Sequence, residues 1–138
     1  MVLMSQVRAP VGETEKMTIN LGVIDLGQID LLVQEGFYSN RTDLIRTAIR
    51  NQLAAHADAV KQTVSRKALS LGLQIYTRED LEKAQASGQM LIVHVLGLAR
   101  IAQDVTPELA RATIQSVCVL GAFDASAAVR SALADRTH

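Results

Sequence analysis

Cysteine is almost missing: Cys118 stands alone in 138 residues, which excludes an internal disulfide framework and fits a reducing compartment. Tryptophan is absent and aromatics make up 3%, although hydrophobic residues reach 49%. A core must therefore come from Leu, Ile, Val and Ala. Neither sign of charge is in excess, with 14 basic and 14 acidic residues, so nothing global steers the chain toward nucleic acid or anionic lipid. No apolar run reaches the roughly 18 residues of a membrane span; the longest, over 90–99, is interrupted by His94 and Gly97. The opening MVLMSQVRAPVGETEK lacks a charged segment followed by a long apolar stretch. No secretory signal is expected from it, and a cytoplasmic protein without membrane partners is. There is no GxGxxG, P-loop lysine motif, HExxH or nucleophile-elbow serine, so we expect no enzyme and no catalytic residues.

What is present is concentrated between Lys16 and His56. Lys16, Met17, Thr18, Ile19, Asn20 and Leu21 alternate polar and apolar, which predicts a short strand with Met17, Ile19 and Leu21 on one face. One strand cannot bury a face or satisfy its edges alone, and pairing with a second chain is the simplest solution. Ile24 to Glu35 has the spacing of an amphipathic helix, with Gly36 where a C-terminal cap belongs. Ser39 or Asn40 then caps a second helix whose stripe is Leu44, Ile45, Ala48, Ile49 and Leu53.

The order strand, helix, then EGFYSNRTDLIRTAIR resembles the ribbon-helix-helix proteins of the MetJ, Arc and CopG type. In that family two chains pair their strands into an antiparallel ribbon that enters the DNA major groove. The resemblance implies a transcriptional regulator, a repressor, that binds double-stranded DNA as a homodimer or higher homo-oligomer. It places Lys16, Thr18 and Asn20 against base edges, and Ser39, Asn40, Arg41 and Thr42 against a backbone phosphate. It also puts Met17, Ile19, Leu21, Leu44, Ile45, Ala48 and Ile49 in the dimer core. The chemistry agrees: lysine reaches guanine, asparagine pairs with adenine, and a helix N-terminus offers N–H groups to an anion. One feature departs from the pattern. Up to His56, the five basic residues Arg8, Lys16, Arg41, Arg46 and Arg50 face six acids, Glu13, Glu15, Asp25, Asp30, Glu35 and Asp43. DNA-binding domains usually carry a basic surplus.

We expect residues 1–15 to be a flexible arm, 16–56 the ribbon-helix-helix domain, 57–72 a helical connector stopped by Gly72, and 73–138 a small βα-repeat module for oligomerisation or a protein partner. The fold class is thus α+β. Leu73 to Tyr76, Met90 to Ile101 and Val117 to Leu120 read as strands; Thr77 with Asp80, Thr106 with Pro107, and Asp124 read as helix starts. Val93-His94-Val95-Leu96-Gly97 aligns with Val117-Cys118-Val119-Leu120-Gly121 at an interval of 24 residues, 94 to 118, within the range of stacked repeats. This region, chiefly DVTPELARATIQSV and the VLG segments, is similar to the C-terminal part of some longer bacterial ribbon-helix-helix proteins.

Nickel-responsive members of the resembled family make His56, His94, His138 and Cys118 worth weighing as metal ligands. No two of them stand at a recognised ligand spacing, so neither metal nor cofactor is expected. Cys118, flanked by Val117 and Val119, reads as an inert thiol. Two alternatives to the regulator remain open at this point. One is a scaffold whose ribbon-helix-helix part only dimerises, and a variant of it is an antitoxin-like autorepressor. A tail with capped helices and apolar strands weighs against the latter, since antitoxin tails are commonly disordered until bound.

Overall fold

The computed structural model describes residues 14–138, which leaves Arg8 and most of the expected arm outside the described residues. The chain divides into two compact units, Lys16–Thr63 and Val64–His138, with Glu15 counted with the second.

In the first unit, residues 14–22 carry no helix or strand within the single chain. Helix α1 follows over Val23–Gln34 and α2 over Arg41–Ala55. The turn between them closes by two bonds: Gly36 N–H donates to Val33 O at 3.1 Å and Phe37 N–H to Leu32 O at 3.0 Å. That pairing needs a left-handed residue after the helix, and Gly36 takes φ of 86°. Asn40 caps α2 by accepting from Asp43 N–H at 2.8 Å, while Asp43 Oδ2 accepts from Ser39 N–H at 3.0 Å. Helix α3 runs over Ala57–Arg66. None of these three helices contains a buried residue.

The second unit is built on a parallel three-stranded sheet in the order β1 (Ser70–Tyr76), β2 (Leu91–Ile101), β3 (Ile114–Asp124). Helix α4 (Arg78–Ser87) connects the first two strands and α5 (Pro107–Thr113) the next two. After β3 come α6 (Ala127–Ala132) and a short 3-10 turn at Ala134–Arg136. Each long connection starts on a local cap. Thr77 and Asp80 form a reciprocal capping box, and Thr106 accepts from Leu109 N–H ahead of Pro107.

One face of the sheet meets these helices. Val93, Val95, Ala99 and Ile101 of β2, with Ile114 and Val117 of β3, pack on Leu81, Ala110, Val129 and Leu133, all buried. The C-terminal residues then cover part of the outer edge of β3. His138 N–H donates to Val117 O at 2.8 Å, and Arg136 Nη1 to Ile114 O at 2.7 Å. An edge strand needs such cover to avoid pairing with another chain.

The register aligns His94 with Cys118, as the repeat interval predicts. It also stacks Gly72, Gly97 and Gly121 in one row across the sheet, at φ of 110°, 136° and 123°. A Cβ on Gly97 would run into the carbonyl of Gly72, and one on Gly121 into that of Gly97. Backbone approach this close admits only glycine.

Three local readings change. Gly72 does not stop a helix; it lies inside β1, which begins at Ser70. The stop is Ala68, at φ of 52°, with Ala68 N–H bonded to Ser65 O and Leu69 N–H to Val64 O. Asp124 does not cap the last helix, because its carboxylate is held by Arg100 Nε at 2.7 Å; Ser126 is the cap. The strand expected at Val117–Leu120 is only the middle of β3, whose ends are fixed by pairing to β2.

Candidate DNA interface

Residues 16–21 are exposed on both sides of their alternation. Lys16, Thr18 and Asn20 are exposed, and so are Met17 at 74%, Ile19 at 52% and Leu21 at 41%. In the single chain, then, the residues expected at base edges reach solvent, and the residues expected in a dimer core reach it too. The helices behave likewise. Leu44 and Ile45 are half-buried, while Ala48 and Ile49 are exposed. Exposed apolar side chains in this number form the kind of patch that marks an interaction surface.

The start of α2 gathers the expected phosphate group. Ser39, Asn40 and Thr42 line a polar recess of about 420 Å³ together with Asp43, Arg46 and Arg50. The first amides of the helix, those of Arg41 and Thr42, have no acceptor within the helix and are available to an anion. Beyond their charge, Arg46 and Arg50 carry no local motif that marks them for this recess. Their one signal is the four-residue spacing Thr42, Arg46, Arg50, which puts all three on one side of a helix.

Arg41 is placed differently from its neighbours. Its Nε donates to Asp30 Oδ1 at 2.7 Å and its Nη2 to Asp30 Oδ2 at 2.8 Å, a two-pronged ion pair between α2 and α1. The hydrogen bond from Arg41 holds the Asp30 carboxyl below its ordinary range, and the same bond raises Arg41. Both groups are open to solvent, so the pair is weak as a stabiliser. It matters for charge, since Arg41 presents its remaining N–H groups with its positive charge largely cancelled.

No group of three or more His, Cys, Asp or Glu side chains is arranged to hold a metal among the described residues. His94 and Cys118 are neighbours on the sheet, without a third partner of that kind among the described residues. No helix among the described residues is long and apolar enough to cross a membrane.

A segment of alternating polar and apolar residues, two helices joined by a tight turn, and a polar helix start beside two arginines fit a ribbon-helix-helix class of protein. Comparison agrees: the Ribbon-Helix-Helix transcriptional regulator family matches the chain over residues 12–130. The chain belongs to that family, whose members regulate transcription, bind DNA and usually dimerise. The search of curated proteins and the search of solved structures each return no match.

Proposed function

We propose that the protein is a sequence-specific repressor that binds its operator as a dimer or a higher oligomer. Two copies of residues 16–21 pair as an antiparallel ribbon in the major groove. Met17, Ile19 and Leu21 then turn inward onto Leu44, Ile45, Ala48 and Ile49, while Lys16, Thr18 and Asn20 face the bases. The observation that carries this reading is the first unit itself. Its helices bury nothing within one chain, although apolar residues recur at strand and helix spacing. A unit this small without an interior is not stable alone, and a second copy supplies the missing layer.

Ser39, Asn40 and Thr42, with the first amides of α2, seat a phosphate, and Arg46 and Arg50 add positive potential beside it. Arg41 contributes through the N–H groups that Asp30 leaves unused. Helix α3 connects this head to a C-terminal unit, whose sheet begins at Ser70 and which sets the assembly state.

The test is binding of the purified chain to selected and random duplexes at several salt concentrations, with its mass measured in parallel. Tight, salt-sensitive and sequence-selective binding by a dimer or multimer supports the repressor. A stable multimer with no sequence preference would refute it and leave a scaffold whose ribbon only clasps two chains.

A further inference from the structure

We propose that residues 1–13 dock on the second face of the sheet in their own chain, crossing it over the glycine row. The segment is then a strap that anchors the chain at Glu15, one residue before the ribbon begins.

Val93, Val95 and Ala99 of β2 pack under the helices, so strand alternation sends Leu96 and Leu98 to the other face. Register sets Leu73 and Ala122 on either side of Leu98. None of these three belongs to the core under the helices. Leu98 is nevertheless only 6% exposed, and Ala122 is half-buried. One step back along the strands the same face opens: Leu71 is 69% exposed and Leu120 is 50%. All-parallel sheets are normally covered on both faces, because their strands are apolar on both. Here burial on the second face is confined to a narrow band beside the glycines, the footprint of one crossing segment rather than of a layer.

Three observations select the chain's own N-terminal segment as the occupant. The first is where the described chain begins. Gly72, Gly97 and Gly121, with Leu73, Leu98 and Ala122, form an open recess of about 590 Å³, and Glu15 lines that same recess. The chain is therefore on this face at Glu15, and residues 1–13 start out from there. The second is reach. Thirteen residues span at most about 45 Å when extended, whereas three strands are only about 10 Å across. Val11, four residues before Glu15, lies within about 13 Å of it along the chain, close enough to enter the space the glycines leave. The third is composition. MVLMSQVRAPVGE carries the apolar Val2, Leu3, Met4, Val7 and Val11, and its only charges are Arg8 and Glu13. Such a segment suits the apolar row of Leu73, Leu98 and Ala122, and its burial there offsets the entropy of ordering it.

The experiment uses the full chain without DNA, so its failure leaves the operator reading where it stands. In a Cys118→Ser background, Ala122→Cys reports on the face through its rate of reaction with a maleimide. Under the strap the thiol reacts only when the segment lifts, so adding Val7→Asp and Val11→Asp should raise the rate by roughly tenfold. An unchanged rate, with the circular dichroism also unchanged, overturns the proposal. A second measurement leaves the strap in place. Val11→Cys, paired in turn with Leu73→Cys and with Ala122→Cys in the same background, should form a disulfide on mild oxidation in at least one pair. In a mixture of isotope-labelled and unlabelled protein, that bridge should join residues of one chain. Failure of both pairs refutes the strap. A bridge between labelled and unlabelled chains refutes it too, and gives the face to a second copy.

Discussion

Removing one negative charge should make the protein a tighter and more salt-sensitive DNA binder. The perturbation is Asp30→Asn, which keeps the shape of the side chain and one carbonyl acceptor for Arg41. In the native chain both prongs of the guanidinium lie on the carboxylate, at 2.7 and 2.8 Å. Asp30 is ionised at neutral pH, since Arg41 holds its carboxyl below the ordinary range. A phosphate approaching Arg41 therefore meets a nearly neutral pair and displaces few counterions. The amide unmasks one charge per chain, hence two per dimer. Each neutralised phosphate steepens the plot of log affinity against log salt by about 0.9, so the slope should steepen by about 1.8. Between about 200 and 50 mM salt that difference amounts to roughly tenfold in affinity. Fluorescence anisotropy of a labelled duplex across a salt series reads the slope, with the mass of the variant as a control for dimerisation. An unchanged slope would mean that Arg41 does not approach a phosphate, and would remove it from the interface.

The other expectations can be tested with the same protein. Asn20→Ala should alter the preferred operator while leaving the dimer intact, measured by selection from random duplexes; an unchanged consensus would take Asn20 out of base readout. Arg46→Ala with Arg50→Ala should weaken binding to every sequence alike and flatten the salt slope, and a sequence-dependent loss would contradict a phosphate role. Thr77→Ala should cost about 1 kcal/mol through loss of the capping box, read by denaturant unfolding. Ala68→Gly should instead raise stability by roughly 0.5–1 kcal/mol, because Ala68 sits at φ of 52° and glycine takes that conformation without strain. The Asp30, Asp80 and Asp135 carboxyls are lowered by hydrogen bonds from Arg41, Thr77 and Arg111. Their contribution is complete above about pH 4 and is lost as pH falls through the lowered values, so thermal stability should decline on the acid side.

The local chemistry of the fold was readable and its long-range pairing was not. Asn40, Thr77 and Thr106 announce helix starts because a cap is a contact three residues long. The end of α3 was misread for the opposite reason. Ala68 carries no sign of a left-handed conformation, whereas Gly72 does, yet Gly72 takes positive φ to lie in a glycine row. Asp124 looked like a cap because nothing in the chain nearby names Arg100, 24 residues earlier, as its partner. The same limit applied at the candidate interface. Ser39 to Thr42 are candidates that the turn alone suggests, but the Asp30–Arg41 pair needs the angle between two helices, which the spacing of apolar residues does not give.

The neutral balance of the head then has a physical reading. A ribbon-helix-helix unit with five basic and six acidic residues up to His56 has little charge with which to hold DNA as one dimer. Part of what it has is cancelled within the chain by Asp30. In the proposed reading, base contacts by Lys16, Thr18 and Asn20 would supply selectivity, but non-specific affinity depends on phosphate charge. Linking dimers restores affinity without adding charge, because each further head binds at the effective concentration set by the first. A two-site duplex should therefore hold each dimer more tightly than a single site does, measured by anisotropy on the two duplexes, and equal affinity per site would refute the coupling.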